Sequence, residues 1–256
     1  MQSKCLGMND AYSTLARFYD QLMEADYQEW VEYLLALGRR HHHKPSRILD
    51  LGCGTGSLTI PLAERGYQLT AIDFSREMIG IAKNKAENLG CEIPFAVGDM
   101  RSLDRPGEYF DTVISGCDVL NYLICEDDLL ASFESVRKLL SPGGLWLFDL
   151  NSEYKLREIY GNQSYADLQG GFGYFWDNCY DEEEELCTMD LTFFVQVQDN
   201  LYERKEERHR QKLWTPRKIG EFSAARGFSL LACYDFLTFE PCTEETHKWQ
   251  FVLKKI

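Results

Sequence analysis

Ile48-Leu-Asp-Leu-Gly-Cys-Gly-Thr-Gly56 decides the fold class, because an apolar run passes here into three closely spaced glycines. The run Arg47–Leu51 predicts a strand, and the amphipathic segment Thr55–Arg65 predicts a helix that ends at Gly66. Glycine lets a backbone approach a ligand closely, and open α/β sheets bind ligands where a strand passes into a helix. The stretch therefore predicts a ligand-binding loop after the first strand.

The alternation of strand and helix continues along the chain and predicts an α/β fold with a mostly parallel, doubly wound sheet. Short apolar runs predict further strands, which cover Tyr67–Asp73, Ile93–Val97, Phe110–Ser115, Leu145–Leu150, Phe228–Phe236 and Lys248–Leu253. Amphipathic segments predict helices, which cover Ser75–Leu89, Glu126–Leu140 and Thr215–Arg226. Ser75 is expected to cap the first of these helices.

Two regions depart from this alternation. Residues 10–40 carry apolar side chains at helical spacing, with a polar break around Asp26. The segment after Asn151 is rich in aromatic residues and predicts an antiparallel insertion, with long strands at Cys187–Val197 and Tyr202–Leu213. We therefore expect an N-terminal helical segment (1–45), a ligand-binding core (46–150), an antiparallel β lid or substrate subdomain (151–213) and a C-terminal part of the core sheet (214–256).

Composition narrows the classes of partner. The 256 residues include 27 basic and 41 acidic side chains, and the net charge of −14 disfavours nucleic acids and anionic membranes as partners. Nine scattered cysteines, an odd number, predict reduced thiols and a cytoplasmic location. Residues 1–10 contain no apolar signal-peptide core, and no apolar run is long enough to span a membrane. Three adjacent histidines, 41–43, favour a solvated loop over a metal site.

The acidic residues around the glycine loop indicate which ligand it binds. The loop is one residue shorter than the G-x-G-x-x-G pattern of dinucleotide-binding proteins. Asp50 ends the first strand, where its carboxylate would repel a pyrophosphate but suit a cation. Asp73 ends the next strand about 20 residues after the loop, which is the position that accepts hydrogen bonds from ribose hydroxyls. S-adenosyl-L-methionine (SAM) combines a ribose with a sulfonium and carries no phosphate.

The same residues resemble the class I SAM-dependent methyltransferases. The resemblance begins with D-L-G-C-G-T-G at 50–56 and Ala71-Ile-Asp-Phe-Ser75, and it continues through Val97-Gly-Asp-Met100, Phe110–Ser115 and Leu140–Gly144. More narrowly, the segment Tyr12–Asp20, the segment Cys117–Tyr122 and the β insertion resemble small bacterial methyltransferases, mostly of unassigned substrate, whose layout is similar to that of glycine N-methyltransferase. The resemblance implies a Rossmann-like, doubly wound, mostly parallel seven-stranded sheet with N-terminal helices and an antiparallel lid. It makes 46–150 the SAM-binding core.

The resemblance also implies a role for each matching position, with S-adenosyl-L-homocysteine as the product. The residues implied at the methionine end of the cofactor are Asp50, Gly52, Cys53 and Gly54, and Asp73 is implied at the ribose. Those implied at the adenine are Phe74, Met78, Asp99 and Met100, and those implied at the floor below the methyl group are Cys117, Asp118 and Tyr122. Tyr12 is expected to cover the cofactor, whereas Tyr19 is expected to pack its helix onto the core.

The β insertion is the expected lid over the methyl acceptor. Strand parity places Glu207, His209 and Gln211 on one face, so an inward-facing His209 would serve as a general base beside Tyr122, the other candidate catalytic residue. An exposed surface histidine is the alternative. Trp176 is expected in the core of the lid rather than on the substrate wall.

The possible classes of methyl acceptor are narrowed mainly by the motifs that the sequence lacks. The segment Ser115-Gly-Cys-Asp118 is not the N/D-P-P-aromatic motif of enzymes that methylate amino groups of nucleobases. With the acidic composition, this favours transfer of a methyl group to an N or O atom of a small molecule. An RNA-modifying methyltransferase, a non-catalytic SAM-binding module and a nicotinamide oxidoreductase stay open as alternatives. The expected assembly is a monomer or homodimer without nucleic acid or membrane.

Overall fold

A seven-stranded sheet forms the centre of the computed structural model, which describes residues 12–23, 25–105 and 107–256. The strand order is β3-β2-β1-β4-β5-β11-β10, and β11 runs antiparallel to both of its neighbours while the other neighbouring pairs are parallel. These strands are β1 (Arg47–Leu51), β2 (Gln68–Asp73), β3 (Phe95–Val97), β4 (Phe110–Ser115), β5 (Leu140–Asn151), β10 (Phe228–Asp235) and β11 (Lys248–Lys255). The order reverses between β1 and β4, so ligands are expected at the carboxyl ends of these two strands.

Helices cover both faces of this sheet. Successive residues of a strand point to opposite faces, and Ile48 packs with α2 whereas Leu49 packs with α5. Trp146 and Leu147 of β5 divide between the two faces in the same way. The helices are α1 (Leu15–Leu22), α2 (Tyr27–Arg40), α3 (Thr59–Glu64), α4 (Arg76–Asn88), α5 (Glu126–Leu139) and α6 (Pro216–Ala225). The expected α/β architecture with N-terminal helices is confirmed.

A second sheet of four antiparallel strands lies outside this core, in the order β6-β7-β8-β9. Its strands are β6 (Ser164–Gln169), β7 (Phe172–Asp181), β8 (Leu186–Gln198) and β9 (Leu201–Lys212). The sequence predicted the last two but not β6. Residues 164–168 are all exposed on this edge strand, so the apolar alternation that identifies a half-buried strand is missing from the sequence.

The helix predicted to begin at Thr55 begins four residues later, at Thr59. Gly54 and Gly56 both have left-handed backbone angles, with φ of +54° and +80°, and the Gly56 amide donates to the Cys53 carbonyl at 2.9 Å. This turn delays the helix and lengthens the loop. The N-cap prediction is correct, because Ser75 Oγ accepts a hydrogen bond from the Met78 amide at 3.2 Å.

The N-terminal region forms two helices that meet at the polar break expected from the sequence. Asp26 caps the second helix by accepting hydrogen bonds from the amides of Gln28 and Glu29, each at 3.0 Å. Asp20 in α1 accepts a hydrogen bond from Thr55 Oγ1 at 2.6 Å and pairs with Lys85 at 2.8 Å. These contacts hold α1 against the glycine loop. Residues 10–11 of the expected helix, and the segment 1–10, lie outside the described residues.

Membrane spans, cysteines and the run of histidines can each be followed in the described residues. No helix in the described ranges is long and apolar enough to cross a membrane. The eight described cysteines are free thiols, and Cys5 falls outside those ranges. The run of histidines is less solvated than expected, because His41 bonds to the Tyr234 hydroxyl at 3.2 Å and His43 to Thr112 Oγ1 at 2.8 Å. The described residues contain no cluster of three or more metal-ligating side chains.

Candidate functional site

The glycine loop is held in place by the end of the neighbouring strand. The amides of Gly52 and Cys53 both donate to the Ile72 carbonyl, at 2.7 and 3.1 Å. Gly52 has a φ of +85°, and a Cβ atom there would lie 2.5 Å from Cγ2 of Val119. The position therefore excludes any side chain, both by its backbone angle and by the close approach of the 3-10 turn Val119–Tyr122.

Two carboxylates lie against this loop. Asp73 accepts hydrogen bonds from the amides of Gly54 and Ser75, each at 2.8 Å, although burial raises its pKa. Asp50 is fully buried beneath the loop, where Thr59 Oγ1 donates to it at 2.5 Å. Burial, together with the nearby charge of Asp73, raises the pKa of Asp50 to about 7. A cation bound beside the loop would favour the charged form of both groups.

One cavity runs along the loop and gathers nearly all the residues predicted to bind the cofactor. Those that line it are Tyr12, Asp50, Gly52, Cys53, Gly54, Asp73, Phe74, Met78, Asp99, Met100 and Cys117. Asp118 was predicted to join them, but its side chain lines a neighbouring cavity instead. Tyr19 was expected only to pack α1 onto the core, yet it lines this cavity as well.

Asp99 already has a partner. Arg101 donates from Nη2 to Oδ2 at 2.6 Å and from Nε to Oδ1 at 2.9 Å. Burial opposes the charged carboxylate, but these contacts outweigh it and hold the pKa of Asp99 below its usual value. Arg101 also pairs with Asp128 at 2.9 Å, so the carboxylate that was predicted to face an adenine amine is fixed in position and ionised.

The chemistry of the cavity fits SAM and does not fit a dinucleotide. Three aspartates, Asp50, Asp73 and Asp99, line it, and the described lining residues include no lysine or arginine. A pyrophosphate would therefore meet carboxylates without a compensating cation, whereas a sulfonium and an ammonium group would be stabilised. Asp73 lies at the end of the second strand, where a ribose is bound in sheets of this type.

The inward face of strand β9 carries the three residues that parity predicted, Glu207, His209 and Gln211, and all three are buried. Glu207 accepts hydrogen bonds from the Tyr12 amide at 3.2 Å, Ser13 Oγ at 2.9 Å and the Leu15 amide at 3.0 Å, and also from the Thr14 amide. Burial opposes ionisation, but hydrogen bonds from His209 and these amides lower the pKa of Glu207. The lid strand thus holds the start of α1.

His209 is the centre of a chain of polar contacts and is only 2% exposed, so the alternative of a surface histidine is wrong. Tyr12 donates to the Tyr122 hydroxyl at 2.7 Å, and Tyr122 contacts His209 Nδ1 at 3.3 Å. Burial raises the pKa of both tyrosines, so both phenols stay protonated. With His209 Nε2 3.3 Å from the Glu207 carboxylate, the consistent arrangement has Nε2–H donating to Glu207 and Nδ1 accepting from Tyr122.

A second cavity, of about 380 Å³, adjoins the first. The two share the residues Tyr12, Tyr19, Tyr27, Cys117 and Tyr122 as a common wall. The lid contributes Trp176, Met189, Leu191 and His209 to the second cavity, and Phe236 and Leu237 close it from the loop after β10. Trp176 therefore lies on the cavity wall rather than in the core of the lid, because the inward face of β7 opens onto the space between the two sheets.

Comparison with known proteins places this geometry in a family. A family model described as a methyltransferase domain matches residues 48–144. The Bacillus subtilis (strain 168) protein YqeM, which is provisionally named a methyltransferase, is 34% identical over 235 residues, covering 91% of this chain and 93% of the relative. The chain belongs to the class I SAM-dependent methyltransferases. The members of this family are enzymes, and SAM is their cofactor.

Solved structures support the same assignment. A SAM-dependent methyltransferase from Clostridium acetobutylicum is 28% identical, with a TM-score of 0.85 and coverage of 95% of this chain and 98% of that one. The sugar N-methyltransferase KedS8 from Streptoalloteichus has a TM-score of 0.76 and covers 93% of this chain and 92% of its own, but at 16% identity it is similar in fold alone. The Rossmann-like methyltransferase fold expected from the sequence is confirmed.

The methyltransferase also contains a buried ionic cluster that was not predicted from the sequence. Lys248 Nζ lies 2.7 Å from Asp118 Oδ1 and 2.8 Å from Asp149 Oδ2, and Gln211 donates to Asp118 Oδ2 at 2.6 Å. Burial disfavours each charge, but the two carboxylates raise the pKa of Lys248 and Lys248 lowers that of Asp118. Asp118 is therefore held on the side of the common wall that faces the second cavity.

Backbone strain occurs where the two cavities meet. Cys117 and Asp118 are consecutive non-glycine residues in the left-handed region, with φ of +57° and +51°. Such residues cost free energy and persist only where neighbours hold them, and here the Asp118 amide donates to Asp149 Oδ2 at 3.0 Å. The strained turn points Cys117 into both cavities and Asp118 into the second.

Proposed function

We propose that this methyltransferase transfers the methyl group of SAM to an N or O atom of a small-molecule acceptor bound between the core sheet and the lid sheet. The observation that carries the proposal is the cavity of about 380 Å³ that shares its wall with the cofactor cavity. Its volume lies in the lower range for small-molecule sites. A folded nucleic acid or protein segment would need a larger and more open groove.

The proposal divides the work between the parts expected from the sequence. Residues 46–150 and 214–256 would form the SAM-binding core, residues 1–45 would cover the cofactor, and 151–213 would enclose the acceptor. Gly52–Gly54 and Asp50 would hold the methionine end of the cofactor and Asp73 its ribose. Phe74, Met78, Asp99 and Met100 would hold the adenine, because all of these residues line one cavity.

The proposed catalysis rests mainly on positioning. SAM, when bound, supplies a methyl group on a sulfonium, which is a good leaving group, so that the acceptor atom displaces sulfur directly. Tyr12, Tyr122 and Cys117 in the common wall would align the acceptor with the methyl group and exclude water, two effects that can supply most of the rate enhancement of such a step.

A protonated acceptor also needs a base. His209 Nδ1 accepts a hydrogen bond from Tyr122, whose hydroxyl lies in the common wall. We propose that a proton leaving the acceptor passes to His209, either directly or through Tyr122, while Glu207 keeps the opposite ring nitrogen protonated and the ring in place. In this scheme Glu207 is a positioning residue.

The acceptor class is tested with SAM carrying a deuterated methyl group. The full chain is incubated with cell extract divided into small molecules, RNA and protein, and each fraction is analysed by mass spectrometry. The expected result is label in the small-molecule fraction. Label in RNA would instead support the RNA-modifying alternative, and SAM binding without label in any fraction would support the non-catalytic module.

His209→Gln and Tyr122→Phe test the proposed base once an acceptor is in hand. General acid–base catalysis contributes about 10²–10⁴-fold, so we expect kcat to fall by at least about tenfold, with the affinity for SAM nearly unchanged. The control is His42→Gln, because His42 is exposed and lies outside both cavities. Equal kcat in all three variants and wild type would remove His209 and Tyr122 from the mechanism.

Three finer expectations accompany the proposal. Free thiols at the eight described cysteines favour a cytoplasmic location. The acidic composition favours a small-molecule partner over nucleic acid, and the enzyme is expected as a monomer or homodimer.

A further inference from the structure

Lys155 lies in the acceptor cavity without an ionic partner. It begins the wide helical turn Lys155–Tyr160, and its backbone amide donates a hydrogen bond to Ser152 Oγ at 3.0 Å. Its ammonium group lies 5.2 Å from the centre of the Tyr160 ring. The side-chain ammonium group donates no hydrogen bond and forms no salt bridge to any residue in the described part of the chain.

The other acidic and basic side chains that line this cavity have partners. Lys248 is bonded to Asp118 and Asp149, and Asp118 also accepts from Gln211. Asp26 caps helix α2. Lys155 is therefore the charged group that could pair with a ligand, among the described lysines, arginines and carboxylates of the cavity wall.

The surroundings make this unpaired charge costly. Burial, and then the nearby charge of Lys248, lower the pKa of Lys155 to about 8. The Lys155 side chain is only partly exposed, and an ammonium group that is partly withdrawn from water without a hydrogen-bond acceptor loses part of its hydration without compensation. An anion that entered the cavity would restore the lost interaction, and the energy gained would contribute to its binding.

We propose that the methyl acceptor carries a carboxylate, which pairs with Lys155 in the part of the acceptor cavity away from the cofactor. This inference rests on the proposed function and deepens it by naming the substrate class. Lys155 lines the second cavity but not the first, so a carboxylate there would leave the other end of the molecule free to reach the common wall.

A carboxylate fits this position better than a phosphate. The cavity offers one unpaired cation, whereas a phosphate near neutral pH carries more than one charge and accepts several strong hydrogen bonds. Asp118 and Asp149 lie close enough to affect the pKa of Lys155, and they would repel a second negative charge. Trp176, Met189 and Leu191 provide an apolar wall, so the body of the acceptor is expected to be aromatic or aliphatic.

The experiment uses the full chain saturated with S-adenosylhomocysteine and matched pairs of small probes. Each pair consists of an aromatic or aliphatic amino or hydroxy acid and its primary amide, for example 3-aminobenzoate with 3-aminobenzamide and 4-hydroxyphenylacetate with its amide. Binding is measured by ligand-observed NMR and by calorimetry. We expect the acids to bind at least about tenfold more tightly than their amides, a difference that charge-assisted pairing readily supplies.

Three variants assign that preference to Lys155. Lys155→Met retains most of the side-chain volume without the charge and is expected to abolish the preference for acids. Lys155→Arg retains the charge and is expected to preserve it, which separates anion binding from a role as a neutral base. Lys138→Met, on the exposed surface of α5, is the matched control and should bind like wild type.

The results separate this inference from the proposed function. Acids that bind no better than amides in wild type, or a preference that persists in Lys155→Met, would overturn the role of Lys155. Calorimetry with S-adenosylhomocysteine monitors folding and cofactor binding in every variant. Methyl label found only in RNA or protein would instead overturn the proposed function, whereas labelled small molecules that lack a carboxylate would overturn this inference alone.

Discussion

The cavity proposed to bind the cofactor and the cavity proposed to bind the acceptor are built in different ways. The first is formed mainly by the ends of neighbouring strands and the loops that follow them, and backbone hydrogen bonds such as those from Gly52 and Cys53 to Ile72 fix its shape. The second is assembled from α1, the turn Lys155–Tyr160, the lid sheet and the loop before β11. Side chains hold these distant segments together, as Glu207 does for the start of α1.

The two halves should therefore differ in how they respond to substitutions. Backbone geometry leaves the cofactor half little tolerance for added atoms, whereas single side chains can retune the acceptor half without disturbing the sheet. Pairs of variants, one inside a site and a matched one outside it, can therefore test this difference.

Gly52→Ala is expected to have the largest effect. The added Cβ atom would lie 2.5 Å from Val119 at a φ of +85°, so the loop and the 3-10 turn must separate. We expect the affinity for SAM to fall by about 100-fold or more, measured by calorimetry, because the loop no longer approaches the ligand.

Gly66→Ala is the matched control for this loss. Gly66 has nearly the same backbone angle, with φ of +87°, but an added Cβ atom would meet nothing within 4 Å, and the residue lies outside both cavities. It should lose about 1 kcal/mol of stability while its affinity for SAM stays unchanged. If both variants lost the same affinity for SAM, backbone strain rather than the close approach of Val119 to Gly52 would account for the loss.

Glu207→Gln is expected to weaken the acceptor half. The amide nitrogen of glutamine would face backbone N–H groups that now donate to a carboxylate, and we expect the free energy of unfolding to fall by about 2 kcal/mol. The start of α1 should loosen, so S-adenosylhomocysteine should dissociate faster in stopped-flow measurements.

Glu206→Gln provides the comparison for Glu207, because Glu206 is the exposed neighbour on the same strand and pairs with Arg204 at the surface. It should change neither stability nor dissociation rate measurably. If both variants behaved alike, the lid would not be holding α1 through Glu207.

The pH dependence of stability tests the buried Asp50. Its pKa of about 7 in the folded protein exceeds the value of about 3.9 expected in the unfolded chain. The native state therefore binds more protons than the unfolded state between about pH 4 and 7, and this group's contribution to stability falls as pH rises through that window. Asp50→Asn should remove that slope, as measured by chemical denaturation at several pH values.

Proton release on binding gives an independent check of the same group. The cation of SAM beside the loop should lower the pKa of Asp50, so that binding near pH 6.5 releases a proton. Calorimetry in two buffers with different ionisation enthalpies measures this release. Proton release that persists in Asp50→Asn would assign it to another group, of which Asp73 is the nearest candidate.

Two helix caps give the smallest expected effect. Ser75→Ala and Thr215→Ala each remove a side-chain oxygen that caps a helix, and each should lower stability by about 1 kcal/mol. Ser75 also lies beside Asp73, so only its variant should reduce the affinity for SAM, by a few fold in calorimetry. Equal affinities would mean that the Ser75 amide alone is enough to fix Asp73.

The sequence determined the parts of this protein that depend on local patterns. The bounds of β1 and β4 were predicted to the residue, the cap at Ser75 was found, and the glycines with Asp50 and Asp73 were enough to identify SAM. These features follow from side-chain periodicity, from the conformational freedom of glycine and from the way parallel strands bring their carboxyl ends to one edge. Parity likewise placed Glu207, His209 and Gln211 on one face, and the structure showed that this face points inward.

Which distant residues meet depends on tertiary packing and could not be predicted from local patterns. The sequence pattern predicts that a helix begins at Thr55, but two glycines with left-handed backbone angles delay its start. The spacing of apolar residues does not predict that turn. Nothing in the sequence distinguishes Lys248, Asp149 and Lys155 from other polar residues near strand ends. Their burial and pairing depend on neighbours up to 130 residues away along the chain. The cofactor could therefore be inferred from contiguous sequence, whereas the acceptor cavity exists only once separate segments pack against one another.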